Sequence, residues 1–206
     1  MMTRVEQMIL GVPAILLAIA FHELGHAYVA YKLGDPTPKY QGRLTLNPMA
    51  HLDPIGAIAL LVFKVGWARP VMINPQYFKN RKRDTALVSL AGPLANVLLA
   101  WIFYNSLRFL PGLMPSISLA RTLYLFLLIN VQINLGLAAF NLLPVPPLDG
   151  SKILAAFLPP KWEYKFSQLA HYGPFLLIVL LLTGGAQIII NPIYSVLSHL
   201  IVSLSF

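Results

Sequence analysis

Long apolar runs, separated by polar or proline-rich segments, form the main pattern along the chain. An apolar helix of about 20 residues crosses the hydrocarbon core of a bilayer, which is roughly 30 Å thick. Three runs meet this length at residues 8–32, 85–110 and 119–143, and a fourth follows at residues 169–190. The pattern predicts an all-α polytopic membrane protein with a three-span core and one or two C-terminal spans.

Three further segments do not have the pattern of a full span. Residues 193–206 follow Asn191-Pro192 and are predicted to form either a short last span or an amphipathic end. Residues 54–68 are apolar but short and interrupted, so a re-entrant or interfacial segment is predicted there. Before it, residues 41–46 alternate enough to predict a short strand. The strand or the re-entrant segment therefore lies between the first and second spans.

Composition supports the membrane class and restricts the chemistry. Hydrophobic residues make up 57% of the chain and charged residues only 11%, with a mean hydropathy of +0.69. These values are unusual for a soluble domain. The chain has no cysteine, which excludes both a disulfide framework and a thiolate metal site. Any metal must be held by histidine or carboxylate side chains.

The basic residues are concentrated on one side of the predicted topology. The net charge is +8, and twelve of the 15 lysines and arginines lie in residues 32–83 and 144–168. If residues 54–68 do not cross, these segments share a side, which the positive-inside rule assigns to the cytoplasm. The N-terminus is then extracytoplasmic. The cluster at residues 79–83 is predicted to anchor this topology and to contact anionic membrane lipid, and no nucleic-acid partner is predicted.

Three ionisable side chains interrupt the first span. His22 and His26 are four residues apart, so both imidazoles lie on one face of a helix. Two imidazoles at this spacing form half of a zinc site, and Glu23 beside them can accept a proton from a metal-bound water. Ionisable groups inside a membrane are costly and usually mark a functional site. The span is therefore predicted to hold zinc near its cytoplasmic end.

A zinc site needs a third protein ligand, and the sequence offers several candidates. They are His51, His171, His199, Asp35, Asp53, Asp84 and Asp149. Asp84 adjoins the basic cluster and is interpreted as its counter-charge. Asp35 and Asp53 precede prolines in turn sequence. The three histidines are interpreted as loop or interfacial residues rather than ligands.

Asp149 is placed differently from the other candidates. It follows three prolines within four positions, at the end of the third span that lies at the membrane level of His26. Extended backbone is tolerated at such depth where it lines a polar cavity, so the carboxylate can turn back toward the metal. Asp149-Gly150 is also a common turn pair, and the residues by themselves leave that alternative open.

Three motifs of the chain resemble those of the site-2 protease family of intramembrane zinc metalloproteases, peptidase family M50. They are HELGH in the first span, AGPLAN at residues 91–96 and NLLPVPPLDG at residues 141–150. They occur in the family's order, and the chain is most similar to short prokaryotic members without PDZ or CBS domains. The resemblance implies one membrane-embedded peptidase domain over residues 1–206, with a catalytic core at about 8–150 and accessory helices at about 169–206.

The same resemblance implies roles for individual residues. His22, His26 and Asp149 would be the ligands of one zinc ion, with Glu23 as the general base. Asn141 would lie near the substrate or the metal-bound water. Asn130, Asn134 and Asn141 share one helix face within about 40°, so this stripe is predicted to face the bundle interior.

The AGPLAN motif is interpreted as a packing face. Its small residues let two spans approach closely, and Gly92 and Asn96 are predicted to support the active site rather than to react. The implied activity is hydrolysis of peptide bonds in or near transmembrane segments of membrane proteins, as in regulated intramembrane proteolysis. A regulatory partner, a prokaryotic cell membrane and an active site toward the cytoplasm belong to the same expectation.

Two other classes of function remain open from the residues. A membrane zinc-binding or transport protein could use the same ligands without hydrolysis, and it would keep metal flux without Glu23. Such a protein should also carry a second cluster of ligands along a path, which the scattered remaining histidines do not form. A scaffold that binds transmembrane helices without cutting them is the third possibility.

Overall fold

The computed structural model describes residues 4–56, 68–109 and 117–205, and this part of the chain is mostly helical. The helices are α1 (Arg4–Lys32), α2 (Thr37–Tyr40), α3 (Arg81–Phe109), α4 (Ile117–Asn141), α5 (Asp149–Phe157), α6 (Pro160–Leu169), α7 (Gly173–Leu182) and α8 (Gly185–Ser203). Single 3₁₀ turns occur at Pro48–Ala50, Pro75–Tyr77 and Ala170–Tyr172.

Within these ranges, five segments are long and apolar enough to cross a membrane. They are Met8–Lys32, Arg81–Phe109, Leu119–Asn141, Pro160–Leu182 and Gly185–Ser203. The first three match the three predicted core spans closely, although α3 begins four residues before the predicted start at residue 85. The prediction of an all-α polytopic membrane protein is confirmed, with two candidate spans at the C-terminal end.

The C-terminal spans are divided at a different residue from the predicted one. The predicted fourth span, residues 169–190, is interrupted at Gly184, whose φ of +75° is the left-handed conformation that favours glycine. The predicted break at Asn191-Pro192 is wrong, because Pro192 lies inside α8. A proline is tolerated in a membrane helix where neighbouring groups compensate for the lost backbone hydrogen bond.

The segment between α1 and α3 corrects a second prediction. Residues 41–46 form turns and bends rather than a strand, because local hydrogen bonds fold the backbone. The N–H of Arg43 donates to the Pro38 carbonyl at 2.8 Å, and the His51 ring bonds the Thr45 carbonyl at 2.9 Å. Across the described residues, the one β-type pairing outside helices is an isolated antiparallel bridge between Leu52 and Ala68.

The same bridge bears on the predicted re-entrant segment. Residues 57–67, the middle of that segment, lie outside the described residues. Its two ends are joined, because Leu52 pairs with Ala68 and the Arg69 N–H donates to the His51 carbonyl at 2.8 Å. Positions 52 and 68 therefore lie side by side at one level.

Small residues allow the core helices to approach closely. Helix α1 carries alanines with no exposed surface at positions 14, 18, 20, 27 and 30. In membranes, helix association depends on van der Waals packing, which small residues improve. Helix α3 packs against α1, α4 and α5, and α4 also packs against α1 and α8. The first, second and third spans therefore form one bundle around the HELGH segment.

The C-terminal helices hold the proline-rich link in place. Leu143 and Leu148, at either end of the prolines, are buried together with Ala186 of α8. Leu177 and Leu180 of α7 pack against this cluster. The link therefore enters α5 from a fixed position, and α5 starts beside the core bundle.

Candidate metal centre

Three side chains from two distant parts of the chain converge inside the bundle. Nε2 of His22 and Nε2 of His26 lie 3.2 and 3.0 Å from Oδ2 of Asp149, and 3.1 Å from each other. Zinc bonds of about 2.0–2.2 Å at tetrahedral angles would separate neighbouring ligand atoms by about 3.4 Å. The triangle of ligand atoms therefore has nearly the size that one zinc ion requires.

Hydrogen bonds on the outer ring nitrogens assign both histidine tautomers. Nδ1 of His22 faces the Asn96 Oδ1 at 2.7 Å, and Nδ1 of His26 faces the Val88 carbonyl at 2.7 Å. Both partners are acceptors, so each Nδ1 carries the proton and each Nε2 presents a lone pair. Two lone pairs and a carboxylate oxygen then meet in a buried space. Such a set of acceptors fits a cation with imidazole and carboxylate ligands, as zinc has.

A chain of amides fixes the orientation of Asn96. Its Nδ2 donates to the Ala18 carbonyl at 2.9 Å and to Oδ1 of Asn134 at 2.8 Å, which leaves Oδ1 for His22. Asn134 in turn donates to the Asn130 carbonyl at 2.9 Å. Three spans are thereby linked to one imidazole. Outer partners of this kind set the tautomer and orientation of a metal-ligating histidine.

Gly92 allows the two histidines to occupy this position. A Cβ at residue 92 would overlap Nε2 of His26 and lie 2.8 Å from Cε1 of His22. The helix backbone of α3 therefore forms the floor beneath the imidazoles. The structure places both Gly92 and Asn96 of the AGPLAN segment in direct contact with the histidines.

The Asp149 carboxylate comes from the first turn of a helix. Leu148 is extended, with φ −67° and ψ 157°, but Asp149 itself begins α5, so the expected extended backbone at Asp149 is wrong. An acidic side chain at this position is favoured by the helix dipole. The Lys152 ammonium lies 3.2 Å from Oδ1 of Asp149 and favours the ionised carboxylate.

Glu23 lies beside the triangle on the same turn of α1. It is 9% exposed, and its Oε2 accepts the backbone N–H of Val71 at 2.9 Å. Val71 belongs to a segment without regular structure that leads from the Leu52–Ala68 bridge to the turn Pro75–Tyr77. Another buried carboxylate, that of Asp35, anchors this segment by accepting the Asn74 N–H at 2.6 Å.

These groups line a cleft of about 160 Å³. Asn141 lies on its wall, and its Nδ2 donates to the Leu137 carbonyl of the same helix at 3.0 Å. Asn130 and Asn134 are fully buried, so that part of the stripe faces the interior as predicted. Ser89 also lines the cleft, and its buried hydroxyl has no hydrogen-bond partner among the described residues.

The other candidate ligands lie elsewhere and have structural partners. His51 is buried and bonds the Thr45 carbonyl, and His171 and His199 are exposed. Asp53 bonds the Gly56 N–H, while Asp84 is bonded by Arg83 and by the Asn80 N–H. In the described part of the chain, His22, His26 and Asp149 are the one group of three or more such residues close enough to share a metal.

Sequence reasoning missed three residues of the cleft. The Val71 N–H has no sequence signal, because a backbone group is the same in every residue. Ser89 lies two residues before the AGPLAN motif and belongs to none of the three motifs. Lys152 was counted only for topology, although its position three residues after Asp149 on a helix predicts the observed contact of 3.2 Å.

Comparison with known proteins agrees with the motifs. The sequence model of peptidase family M50 matches residues 10–124 and 112–181, which is most of the chain. YwhC of Bacillus subtilis is 44% identical over 180 residues, covering 86% of this chain and 82% of YwhC. MJ0611 of Methanocaldococcus jannaschii is 35% identical over 152 residues, covering 71% and 69%.

A mycobacterial relative is more distant. Rip2 of Mycolicibacterium smegmatis is 30% identical over 182 residues, covering 85% of this chain and 67% of Rip2. All three relatives are named as putative zinc metalloproteases. No solved structure matches the chain. The predicted family is confirmed, and the chain belongs to peptidase family M50.

Proposed function

We propose that this M50 peptidase is an intramembrane zinc metalloprotease that hydrolyses peptide bonds in or near transmembrane segments of membrane proteins. His22, His26 and Asp149 hold one zinc ion, and Glu23 is the general base. The observation that carries the proposal is the convergence of these ligand atoms to within 3.2 Å inside a bundle of apolar helices. Residues 1–206 act as one peptidase domain, with α7 and α8 supporting the link that carries Asp149.

The residues of the cleft have separate roles in the hydrolysis of the peptide bond. Zinc, when bound, supplies Lewis acidity for the water and for the substrate carbonyl. Glu23 takes the proton of the attacking water and passes it to the leaving amine as the peptide C–N bond breaks. Val71 orients Oε2 of Glu23, so that Oε1 is the oxygen that accepts the proton. Asn141 lines the cleft, and the N–H that does not bond the Leu137 carbonyl donates to the substrate carbonyl.

The depth of the site sets the class of substrate. His26 lies six residues before the end of α1, which is about 9 Å along a helix axis. A helical substrate hides its amides in its own hydrogen bonds, so a transmembrane segment must unwind near that membrane surface before it enters the cleft. The substrates are therefore membrane proteins whose spans unwind near the end of the bilayer that carries Lys32.

The orientation follows from the distribution of basic residues. The side that carries Lys32, residues 79–83 and Lys161 faces the cytoplasm of a prokaryotic cell, because positive charge is retained there. The joined ends at Leu52 and Ala68 support this, since they lie at one level.

We expect the two sides of the membrane to differ in accessibility, with Phe109 at the end of α3 on one side and Lys161 at the start of α6 on the other. Because the chain has no cysteine, Phe109→Cys and Lys161→Cys each introduce one thiol. A membrane-impermeant maleimide added to intact cells should label position 109, and it should label position 161 only after permeabilisation. Labelling in the reverse order would contradict the proposed orientation.

Removal and restoration of zinc, combined with a measurement of metal influx, distinguishes a peptidase from a zinc transporter. In proteoliposomes, a chelator that strips the metal should reduce cleavage of a single-span test substrate to background, and added zinc should restore it. Mass spectrometry of the products locates the cut. A zinc-sensitive dye inside the same vesicles should report no metal influx. Influx without cleavage would instead support the transport alternative.

A further inference from the structure

A second concave surface lies apart from the catalytic cleft. It is a groove of about 400 Å³ between the C-terminal part of α1, from Gly25 to the following Leu33, and α3, from Leu87 to Leu98. No residue that lines this groove also lines the cleft. Its walls are apolar, and large side chains on it are exposed, including Tyr28 at 53% and Leu98 at 56%. The groove therefore opens toward the membrane and not toward the metal centre.

The length of the groove matches one leaflet. From Leu87 to Leu98 the helix rises by about 16 Å, and half of a hydrocarbon core of about 30 Å is about 15 Å. The volume is also within the range of ligand pockets, about 300–1,000 Å³. An extended apolar chain of lipid length therefore fits the groove along the bundle axis.

One end of the groove is basic. On α3, Arg83 lies four residues before Leu87 and so continues the same helix face. On α1, Lys32 lies four residues after Tyr28, and its Nζ lies 5.4 Å from the centre of the Tyr28 ring that forms part of the wall. The Arg83 side chain is 63% exposed, although its Nε bonds Asp84. Two cationic groups therefore lie at the level where a lipid headgroup begins.

We propose that this groove binds one anionic phospholipid, with an acyl chain between α1 and α3 and the phosphate between Lys32 and Arg83. A cationic pair at the end of an apolar groove is complementary to an anionic headgroup with a hydrocarbon chain. A second copy of the chain fits less well, because a two-fold contact across the groove would bring the same cations together. The proposal does not depend on peptidase activity.

The position of this lipid connects it to the metal centre through neighbouring residues. The groove wall contains Gly25, which precedes His26, and Ala91 and Ala95, which precede Gly92 and Asn96. A bound acyl chain therefore packs against the same two helix segments that position the imidazoles. Lipid binding should stabilise this helix pair by mass action, since the lipid binds the folded state.

Native mass spectrometry tests the selectivity of the site. Protein equilibrated with equal amounts of phosphatidylglycerol and phosphatidylcholine, with identical acyl chains, should retain one phosphatidylglycerol. The variant Lys32→Gln/Arg83→Gln should lose roughly ten- to thirty-fold of this preference, because each cation near an anionic surface contributes about 1 kcal/mol. Lys32→Arg/Arg83→Lys should retain the preference. Without lipid, the Lys32→Gln/Arg83→Gln variant must have the same Tm as the wild type, which shows that it is folded. If its Tm is lower, the same lipid measurement is made on the single variant Lys32→Gln.

The matched control removes two other interfacial cations. Lys161 and Lys165 lie on α6, and Lys165 stacks over Trp162 at 5.2 Å much as Lys32 stacks over Tyr28. Lys161→Gln/Lys165→Gln should keep the lipid preference of the wild type. An equal loss in both double variants would show a general charge effect and would overturn the proposed site.

A probe inside the groove tests occupancy directly. With no native cysteine, Leu94→Cys can carry a single bimane fluorophore on the groove wall. Phosphatidylglycerol with a brominated acyl chain should quench this fluorophore at lower concentrations than brominated phosphatidylcholine. Equal quenching by both lipids would overturn the headgroup assignment. Disulfide formation between two Leu94→Cys chains, or displacement of the lipid by a single-span substrate, would assign the groove to a protein helix instead.

Discussion

Replacing Glu23 with Gln is expected to lower the rate of substrate cleavage by about 10²- to 10⁴-fold, which is the usual contribution of a general base. The amide has nearly the shape of the carboxylate, and its oxygen can still accept the Val71 N–H. The three converging ligand atoms belong to other residues, so zinc should stay bound. The measurement pairs initial rates on a transmembrane test substrate with the zinc content per chain.

A second carboxylate provides the control for this variant. Glu163 forms an ion pair with Lys82 at 2.5 Å and lies on α6, outside the cleft. Glu163→Gln should cleave the test substrate at close to the wild-type rate. Wild-type cleavage by Glu23→Gln would refute the assignment of the base, and loss of zinc in that variant would place Glu23 among the ligands.

The substitution Gly92→Ala is expected to remove most zinc binding and activity although it adds only one methyl group. The new Cβ would overlap His26 and crowd His22, so the imidazoles must move from the positions that face Asp149. Overpacking of a buried site typically costs about 1–3 kcal/mol. Because disturbed support of metal ligands lowers metal affinity by about 10–100-fold, zinc titration of the purified protein should detect the change.

Gly136→Ala is the matched control within the membrane. Gly136 lies in α4, and a Cβ there would meet no atom within 4 Å. We expect this variant to bind zinc and cleave substrate as the wild type does, with equal or greater thermal stability, because alanine favours a helix over glycine. Normal zinc affinity in Gly92→Ala would show that the imidazoles do not need their present positions.

Both predictions depend on contacts between distant parts of the chain. Glu23 is oriented by a backbone group 48 residues later, and His22 by an amide 74 residues later. The metal ligands themselves come from α1 and from the first turn of α5. The candidate site is therefore a property of the bundle, and each helix supplies only part of it.

Features that depend on local pattern could be predicted from the amino-acid sequence. Apolar length located the three core spans, because a bilayer of fixed thickness requires a fixed number of helical residues. Helical periodicity placed His22 and His26 on one face, since residues four apart share a face in any helix. Composition excluded thiolate ligands, and the family motifs singled out Asp149, Asn141, Gly92 and Asn96 for attention.

The sequence did not determine features that depend on contacts between segments. The predicted strand at residues 41–46 is wrong, because turns and the His51 side chain take the backbone groups that a strand would pair. The C-terminal spans divide at Gly184 rather than at Pro192, since a left-handed glycine reverses the chain while a membrane helix accommodates the proline.

The chemistry of the site was likewise decided by the tertiary structure. A histidine can bind metal through either ring nitrogen, and only Asn96 and the Val88 carbonyl, both supplied by α3, leave the two Nε2 atoms for the metal. Nothing in the sequence indicates which backbone N–H group, such as that of Val71, will bond a particular side chain. Local pattern fixed which residues face inward, and packing of separate helices fixed which atoms meet, because a contact depends on the positions of both partners.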